Sequence, residues 1–165
     1  MKEINLTKNM VALVDDEDYT PLSSYKWRAL CIQGIWYALR SDLSSFLGKK
    51  NIFMHRQIMK AKKGEYVDHI NHSGLDNRKG NLRLCTNSQN CSNTAKRSGT
   101  GYKGVAKTVL TKKYGQRWAA GITCDRVYYH LGVFDSPRKA AEAYDKKAVE
   151  LFGEFAYTNK MLGLL

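Results

Sequence analysis

The chain is 165 residues long and carries 27 Lys and Arg against 15 Asp and Glu, a formal net charge of +12. Such a surplus costs self-repulsion in a folded chain. A polyanion relieves it, most commonly a nucleic acid, with an anionic membrane as the alternative. No run approaches the roughly 18 apolar residues of a membrane span, and no signal peptide opens the sequence, so we expect a soluble, intracellular protein. The four cysteines form no CxxC pair, which argues against a disulfide framework or a cysteine zinc site.

The first 50 residues contain short apolar runs that predict β-strands. These runs are residues 10–14, 25–32 and 35–39, and a Gln-Gly pair between the last two is typical of a hairpin turn. The acidic cluster at residues 15–18 is interpreted as a solvated loop. Residues 53–59 have apolar side chains at helical spacing and lead into a Lys- and Gly-rich stretch, which predicts a short helix.

A self-contained pattern follows residues 94–101, which are small, polar and basic and therefore have the composition of a linker. Three strand-like runs come next, at residues 102–109, 117–123 and 127–134. The last two runs are joined by only three residues, so we expect a tight connection between them.

One helix is predicted after these strands. Ser136 suits its N-cap, Pro137 its first position and Gly153 its C-terminal left-handed position. The apolar face of the helix is rich in alanine, which predicts close packing against the sheet. That face comprises Ala141, Tyr144, Ala148 and Leu151.

Charge differs between the two predicted domains, residues 1–95 and 101–165, which a basic linker at 96–100 joins. Residues 96–165 carry 13 Lys and Arg against 6 Asp and Glu, or +7, whereas residues 1–95 carry 14 against 9, or +5. The shorter segment has the larger excess, so we expect it to form the main electrostatic footprint on DNA.

The densest His, Asp and Asn content lies in residues 51–95. Asp68 and His69 follow an apolar, strand-like lead and precede a turn-rich segment, as at a strand-to-loop junction. Residues 81–84 are interpreted as the returning strand. A Thr-x-x-Gln capping box then predicts a short helix beginning near Asn87.

This constellation supplies what hydrolysis of a phosphodiester requires. Asp68 and Asn90 offer oxygen ligands of the hard type that Mg²⁺ or Mn²⁺ takes. His69 has the intrinsic pKa needed to remove a proton from water near neutral pH. Asn81 could hold the imidazole in place.

The same region, together with the segments LDNRKGNLRL and TNSQN, resembles the ββα-metal nuclease motif of the HNH family. The closest pattern is the His-Asn-Asn variant of phage- and intron-encoded homing endonucleases. The resemblance implies that Asp68 and Asn90 bind one divalent metal ion, Mg²⁺ or Mn²⁺. It also implies that His69 is the general base and that Asn81 supports the histidine.

Four further residues match the same family pattern. Arg78, with Asn77, would brace the loop or contact phosphate. The pair formed by His55 and Arg56 matches a motif common upstream in the family.

A second resemblance covers residues 101–160. The segments GYKGV, RWAAGI and HLGVFDSPRKAAEAYD and a late Asn159 are similar to the ethylene-response-factor (AP2/ERF) DNA-binding domain of plant regulators, which is also fused to phage HNH nucleases. The resemblance implies a three-stranded antiparallel sheet packed on one helix, with the sheet face in the DNA major groove.

Strand alternation predicts which side chains face DNA. Trp118, Ala120 and Ile122 should contact the helix, which leaves the opposite face of the sheet outward. Lys103 matches a family contact position, whereas other contact positions of the plant proteins are changed, so their recognition sequence is not inferred. The predicted DNA-binding residues are Arg78, Lys103, Lys107, Arg117, Thr123, Arg126, Tyr128 and His130.

Together these observations predict an α+β protein with an HNH nuclease domain and a C-terminal DNA-binding domain. We expect a metal-dependent endonuclease of the homing type, from a phage or mobile element, that cleaves one or both strands of double-stranded DNA in the host cytoplasm. A single active centre per chain slightly favours a monomer. The alternative is a sequence-specific DNA-binding regulator with a vestigial nuclease motif.

Overall fold

The computed structural model describes residues 1–42, 50–94, 98–108, 110 and 115–165. The chain mixes helices with several small antiparallel sheets, in agreement with the α+β prediction. It divides into two units, Met1–Asn87 and Ser88–Leu165. Residues 96 and 97 of the predicted linker, position 109 and the segment 111–114 lie outside the described residues. No helix within the described ranges is both long and apolar enough to cross a bilayer.

Among its described residues, the first unit contains three small sheets and two short α-helices. The strands are β1 (Lys2–Asn5), β2 (Val11–Val14), β3 (Arg28–Ile32), β4 (Ile35–Asp42), β5 (Lys50–Phe53), β6 (Tyr66–His69) and β7 (Leu82–Cys85). The helices are α1 (Asp16–Ser23) and α2 (Met54–Ile58). Strands β1 and β2 form one hairpin, β3, β4 and β5 form a three-stranded sheet in that order, and β6 and β7 form another hairpin.

Most of the predicted elements of this unit are present. The β3–β4 hairpin turns at Gln33 and Gly34, whose φ angles of 50° and 86° suit the two-residue turn that the sequence predicted. The prediction of a loop at residues 15–18 is wrong, because α1 begins at Asp16. Carboxylates in the first turn of a helix interact favourably with its N-terminal dipole, so the acidic cluster starts the helix.

The loop between β6 and β7 is held by two other parts of the unit. Leu13 of β2 donates from its backbone N to the carbonyl of Leu75 at 2.9 Å and accepts from the backbone N of Asn77 at 2.8 Å. On another side, Gly74 lies so close to Tyr37 that an added Cβ would sit 2.7 Å from the tyrosine ring. The loop is therefore fixed by contacts that are distant in sequence.

The second unit has the strand and helix order predicted for it. Helix α3 (Asn87–Ser92) begins at the boundary between the units, and the elements that follow are β8 (Val105–Lys107), β9 (Trp118–Cys124), β10 (Val127–Phe134) and α4 (Pro137–Phe152). The sheet is antiparallel with β9 in the centre. Helix α3 begins near the predicted position.

Helix α4 packs closely on this sheet. The Ser136 side chain accepts a hydrogen bond from the backbone N of Lys139, Pro137 occupies the first turn, and Gly153 ends the helix with a φ of 53°. The predicted roles of Ser136 and Pro137 are confirmed, whereas the ψ of −125° at Gly153 lies outside the left-handed helical region that the sequence predicted. A Cβ at Gly104, whose φ is 72°, would lie 1.8 Å from the ring of Tyr144, so only glycine fits between the sheet lead and the helix.

Candidate active site

Asp68 and His69 lie together at the end of β6, and both are buried, with 5% and 7% of their surfaces exposed. Asp68 pairs across the hairpin with Arg83 of β7. The Nε of Arg83 donates to Asp68 Oδ2 at 2.9 Å, and an Nη of the same guanidinium lies 2.9 Å from that oxygen. Two nitrogens of one guanidinium group thus contact one carboxylate oxygen, which fixes the orientation of the Asp68 side chain.

The imidazole of His69 faces an asparagine, but not the predicted one. Its Nε2 lies 3.4 Å from Oδ1 of Asn77, which is fully buried. The Nδ2 of Asn77 donates to the carbonyl of Leu75 at 3.2 Å, which turns the amide oxygen toward the imidazole. Donation from Nε2 to that oxygen selects the tautomer in which Nδ1 is the basic nitrogen.

Asn81, which the sequence assigned to hold the imidazole, closes the loop instead. It lies in a short 3-10 turn (Lys79–Asn81) just before β7. Its Nδ2 donates to Asn71 Oδ1 at 2.9 Å and to the carbonyl of Asp76 at 2.8 Å, and its Oδ1 accepts from the backbone N of Asn71 at 3.0 Å. Both amide hydrogens of Asn81 are therefore used within the loop, and the amide oxygen that faces the imidazole is that of Asn77.

Aromatic rings enclose the other side of His69. His55 of α2 is buried, and its ring centroid lies 5.0 Å from that of His69, with the two planes at 83°. Tyr37 lies 5.8 Å from His55 and 5.9 Å from His69. Within the described part of the chain, Nδ1 of His55 has no hydrogen-bond partner.

Burial sets the charge state of both histidines. Burial first, then the neighbouring His69 and Arg56, lowers the pKa of His55 to about 3. Burial also lowers the pKa of His69, although the hydrogen bond that its imidazole donates to Asn77 and the charges of Asp68 and Asp76 act in the opposite direction. Both rings are therefore neutral at pH 7, and a neutral imidazole is the form that accepts a proton.

The two arginines that the sequence noted near this site have different uses. Arg78 holds the buried Asp76 by a two-pronged ion pair, with Nε–Oδ1 and Nη2–Oδ2 distances of 2.7 Å, and this contact lowers the pKa of Asp76. The Arg78 side chain is still 41% exposed. Arg56 instead donates to the carbonyls of Lys62 and Glu65, so it closes the chain after α2.

The remaining predicted metal ligand, Asn90, lies half-buried on α3 in the second unit. Among the residues that the structure describes, no three His, Cys, Asp or Glu side chains come together as a possible metal cluster. Mg²⁺ is usually held by only one or two carboxylates together with substrate phosphate oxygens and water. A buried carboxylate such as Asp68 fits that kind of ligation.

Lys103, which the sequence assigned to DNA contact, is buried in the second unit. Only 7% of this residue is exposed. Its Nζ donates to the carbonyls of Ser92 and Tyr157, and its backbone N donates to Oδ1 of Asn159 at 2.7 Å. Burial lowers the pKa of Lys103 to about 8. The lysine therefore connects the segment before β8 to other main-chain segments of its unit.

The outward face of the β8–β10 sheet matches the predicted alternation. Ala120 and Ile122 are buried toward α4, whereas Thr123, Tyr128 and His130 are exposed. Tyr128 crosses the sheet so closely that a Cβ at Gly121 would lie 2.0 Å from its hydroxyl. The face therefore combines a flat, small-residue centre with an exposed aromatic side chain.

The basic residues of this sheet lie mainly at its margins. Arg126 is exposed in the β9–β10 turn with a φ of 68°, and Arg117 is half-buried just before β9. Lys107 is exposed, but it pairs with Trp118, which places it on the same side of the sheet as α4. Lys107 is thus separated from the outward face on which the other predicted contacts lie.

Two comparisons of this chain with known proteins identify its family. A profile described as HNH endonuclease matches residues 53–91, the segment from α2 to α3 that carries Asp68, His69 and Asn77. The chain is also 32% identical over 160 residues to an uncharacterized HNH endonuclease of Acanthamoeba polyphaga mimivirus, an alignment that covers 93% of this chain and 77% of the relative. The chain belongs to the HNH endonuclease family.

Proposed function

We propose that this protein is a DNA endonuclease that hydrolyses phosphodiester bonds with one divalent metal ion, Mg²⁺ or Mn²⁺. The observation that carries the proposal is the buried pair at the end of β6. There a carboxylate held by Arg83 lies next to a neutral imidazole oriented by Asn77. A fixed carboxylate beside an oriented base is the pairing that metal-assisted hydrolysis needs.

His69 is the proposed general base. With Nε2 hydrogen-bonded to Asn77, Nδ1 would take the proton from the attacking water. The lowered pKa of His69 supports this role, because the ring is then neutral at physiological pH. His55 and Tyr37 limit the positions that the imidazole can adopt.

Asp68 and Asn90 are the residues proposed to hold the metal ion. When bound, the ion would supply Lewis-acid stabilisation of charge on the scissile phosphate and on the leaving 3′ oxygen. Arg83 keeps Asp68 in one orientation through its two contacts with Oδ2. Because the pair is buried, the orientation does not depend on the substrate.

The second unit is proposed to hold double-stranded DNA in the manner of an AP2/ERF-like domain. Thr123, Tyr128 and His130 on the outward face, with Arg117 and Arg126 at its margins, would contact the major groove. Arg78 would contact the backbone near the cleavage site, and Lys107 would contact it from the strand end. We further propose a homing-type enzyme that acts inside a host cell as a monomer.

Incubation of supercoiled plasmid with the protein tests this function. With Mg²⁺ or Mn²⁺ we expect conversion to the nicked and then the linear form, and EDTA should prevent both. A protein that retards plasmid in a gel but never nicks it with either metal would instead be a DNA-binding regulator with a vestigial nuclease motif.

A further inference from the structure

The first unit contains a second concave site, separate from His69. It is a cleft of about 780 Å³ between the β4–β5 strands and the end of α2. Its basic side chains are Arg40, Lys50, Arg56, Lys60 and Lys63. No function assigned above uses this cleft.

The charge of the cleft is one-sided. Five of its ten lining residues are Lys or Arg, and none is Asp or Glu. The unit as a whole is more balanced, since residues 1–87 contain 14 Lys and Arg and 9 Asp and Glu, and four of those acids lie in the segment 15–18. Positive charge is therefore concentrated in a concave surface, where the local attraction for a polyanion is strongest.

The cleft combines fixed and exposed cations. Arg40 is held in place because its Nε donates to Oε1 of Gln57 at 3.0 Å and its guanidinium lies 4.0 Å from the centre of the Tyr25 ring. Lys60 and Lys63 are exposed, and neither side chain has an ion pair with another described residue. A bound anion would not have to displace an existing carboxylate from either lysine.

The lining also has an apolar part. Ile52 and Phe53 of β5 and Ala61 contribute to the wall between the basic side chains. Sugar rings of a nucleic acid offer apolar contact surface between phosphates, whereas inorganic phosphate does not. The volume is in the range of small-ligand pockets, so the cleft suits a few nucleotides of one strand and not the width of a duplex.

Helix α2 connects the cleft to the candidate active site. His55 faces His69, whereas Arg56 and Gln57 line the cleft. The two sites are therefore separated by about one helix diameter, roughly 10 Å. At 3.4 Å per nucleotide of a strand, this distance corresponds to about three nucleotides of B-DNA.

We propose that this cleft binds the phosphate backbone of one DNA strand, about three nucleotides from the phosphodiester that is cleaved. The proposal rests on the proposed nuclease function for the position of the cut, but the binding itself does not require cleavage. The nuclease unit would then contribute its own sequence-independent affinity for DNA, in addition to that of the second unit.

A matched pair of variants tests the proposal in the full chain carrying His69→Ala, which prevents cleavage. Lys60→Gln with Lys63→Gln removes two cleft charges. Lys26→Gln with Lys62→Gln removes two exposed charges of the same unit that do not line the cleft. Each protein is titrated against a 30-base-pair duplex at several salt concentrations, and thermal melts verify that folding is equal.

Each phosphate contact contributes about 0.9 to the slope of log affinity against log salt. The cleft pair should therefore lower the slope by about 1.8 and the affinity at 0.1 M salt by about 10- to 60-fold, while the control pair changes both much less. Lys50→Gln alone should lower the slope by about 0.9.

Equal slopes for the cleft and control pairs would overturn the proposal. It would also be overturned if the cleft pair kept its affinity for DNA but lost binding to phosphatidylserine vesicles. Plasmid nicking by the protein with an intact His69 is scored separately. If the protein does not nick plasmid but the Lys60→Gln, Lys63→Gln pair still lowers the salt dependence of DNA binding, the proposed nuclease function is wrong and the proposed binding site stands.

Discussion

The two units use buried polar residues in different ways. In the first unit, buried polar side chains contact one another around His69, through the Asp68–Arg83 and His69–Asn77 pairs. In the second unit, buried polar side chains mostly bind main-chain atoms. Asn159, for example, accepts from the backbone N of Lys103 and donates to its carbonyl.

This difference distinguishes side chains that orient reactive groups from side chains that stabilise the backbone. A side chain that satisfies backbone groups replaces secondary structure in an irregular segment, and its loss leaves buried carbonyls and amides unpaired. Side chains that orient other side chains do little for the backbone, but they fix the geometry of a few reactive groups. We therefore expect substitutions in the first network to lower catalysis and those in the second to lower stability.

The largest effect is expected at His69. Substitution by alanine removes the proposed base, which typically costs about 10²–10⁴ in rate. DNA affinity should be nearly unchanged, because the imidazole is buried and neutral. Cleavage kinetics and a binding titration on the same preparation give the two values. Cleavage by the variant at the rate of the unsubstituted protein would contradict the assignment of His69 as the general base.

Lys103→Met should lower the stability of the protein and not its catalytic rate. The change leaves the carbonyls of Ser92 and Tyr157 without their donor, so we expect a loss of about 2–4 kcal/mol in the free energy of unfolding. The salt dependence of DNA binding by the folded protein should not change. Urea denaturation and a salt titration distinguish these main-chain contacts from a phosphate contact, which would alter the slope and spare stability.

The two asparagines of the β6–β7 loop are expected to differ in the same way within the first unit. Asn77→Leu should lower the rate at saturating DNA about 10- to 100-fold, because the imidazole loses its orienting oxygen. Asn81→Leu should mainly lower the stability of the loop, because it removes three hydrogen bonds to Asn71 and Asp76. Comparison of kcat and of unfolding midpoints for the two variants checks this division. The same rate loss at both positions would contradict it.

The smallest effect is a pH dependence of stability that originates from His55. The pKa of His55 in the folded chain, about 3, lies below the ordinary value of 6.5. Between these two pH values the imidazole is protonated in the unfolded chain and neutral in the folded chain. Stability is therefore complete above pH 6.5 and falls as pH drops toward 3, by about 1.4 kcal/mol per pH unit. Urea denaturation at pH 7.5, 6.5 and 5.5 should show this loss in the natural chain and a smaller one in His55→Phe. Parallel curves would mean that the ring is hydrated in the folded state.

Local sequence patterns were sufficient for much of the fold. The Gln33–Gly34 turn, the N-cap of α4 and the inward side of β9 depend on neighbours only a few residues away, and all were predicted correctly. The acidic start of α1 was missed, because charge alone does not distinguish a solvated loop from the first turn of a helix.

Contacts distant in sequence explain what could not be predicted at the site. The choice of Asn77 over Asn81 depends on how the β6–β7 loop docks on Leu13 of β2. The burial of Lys103 depends on the C-terminal segment around Asn159, which lies 56 residues away along the chain. Neither contact leaves a periodic signal in the sequence.

The central claim is that Asp68 is a metal ligand, and calorimetry tests it most directly. Mn²⁺ is titrated into His69→Ala protein bound to duplex DNA, and then into the same protein with Asp68→Ala, with Asp68→Asn as the variant that keeps an oxygen and the shape. We expect a clear binding isotherm for the first, loss of measurable affinity for the alanine variant and an intermediate affinity for the asparagine variant. Unchanged Mn²⁺ affinity after Asp68→Ala in a folded protein would show that the metal is bound elsewhere or that Asp68 serves only as the partner of Arg83.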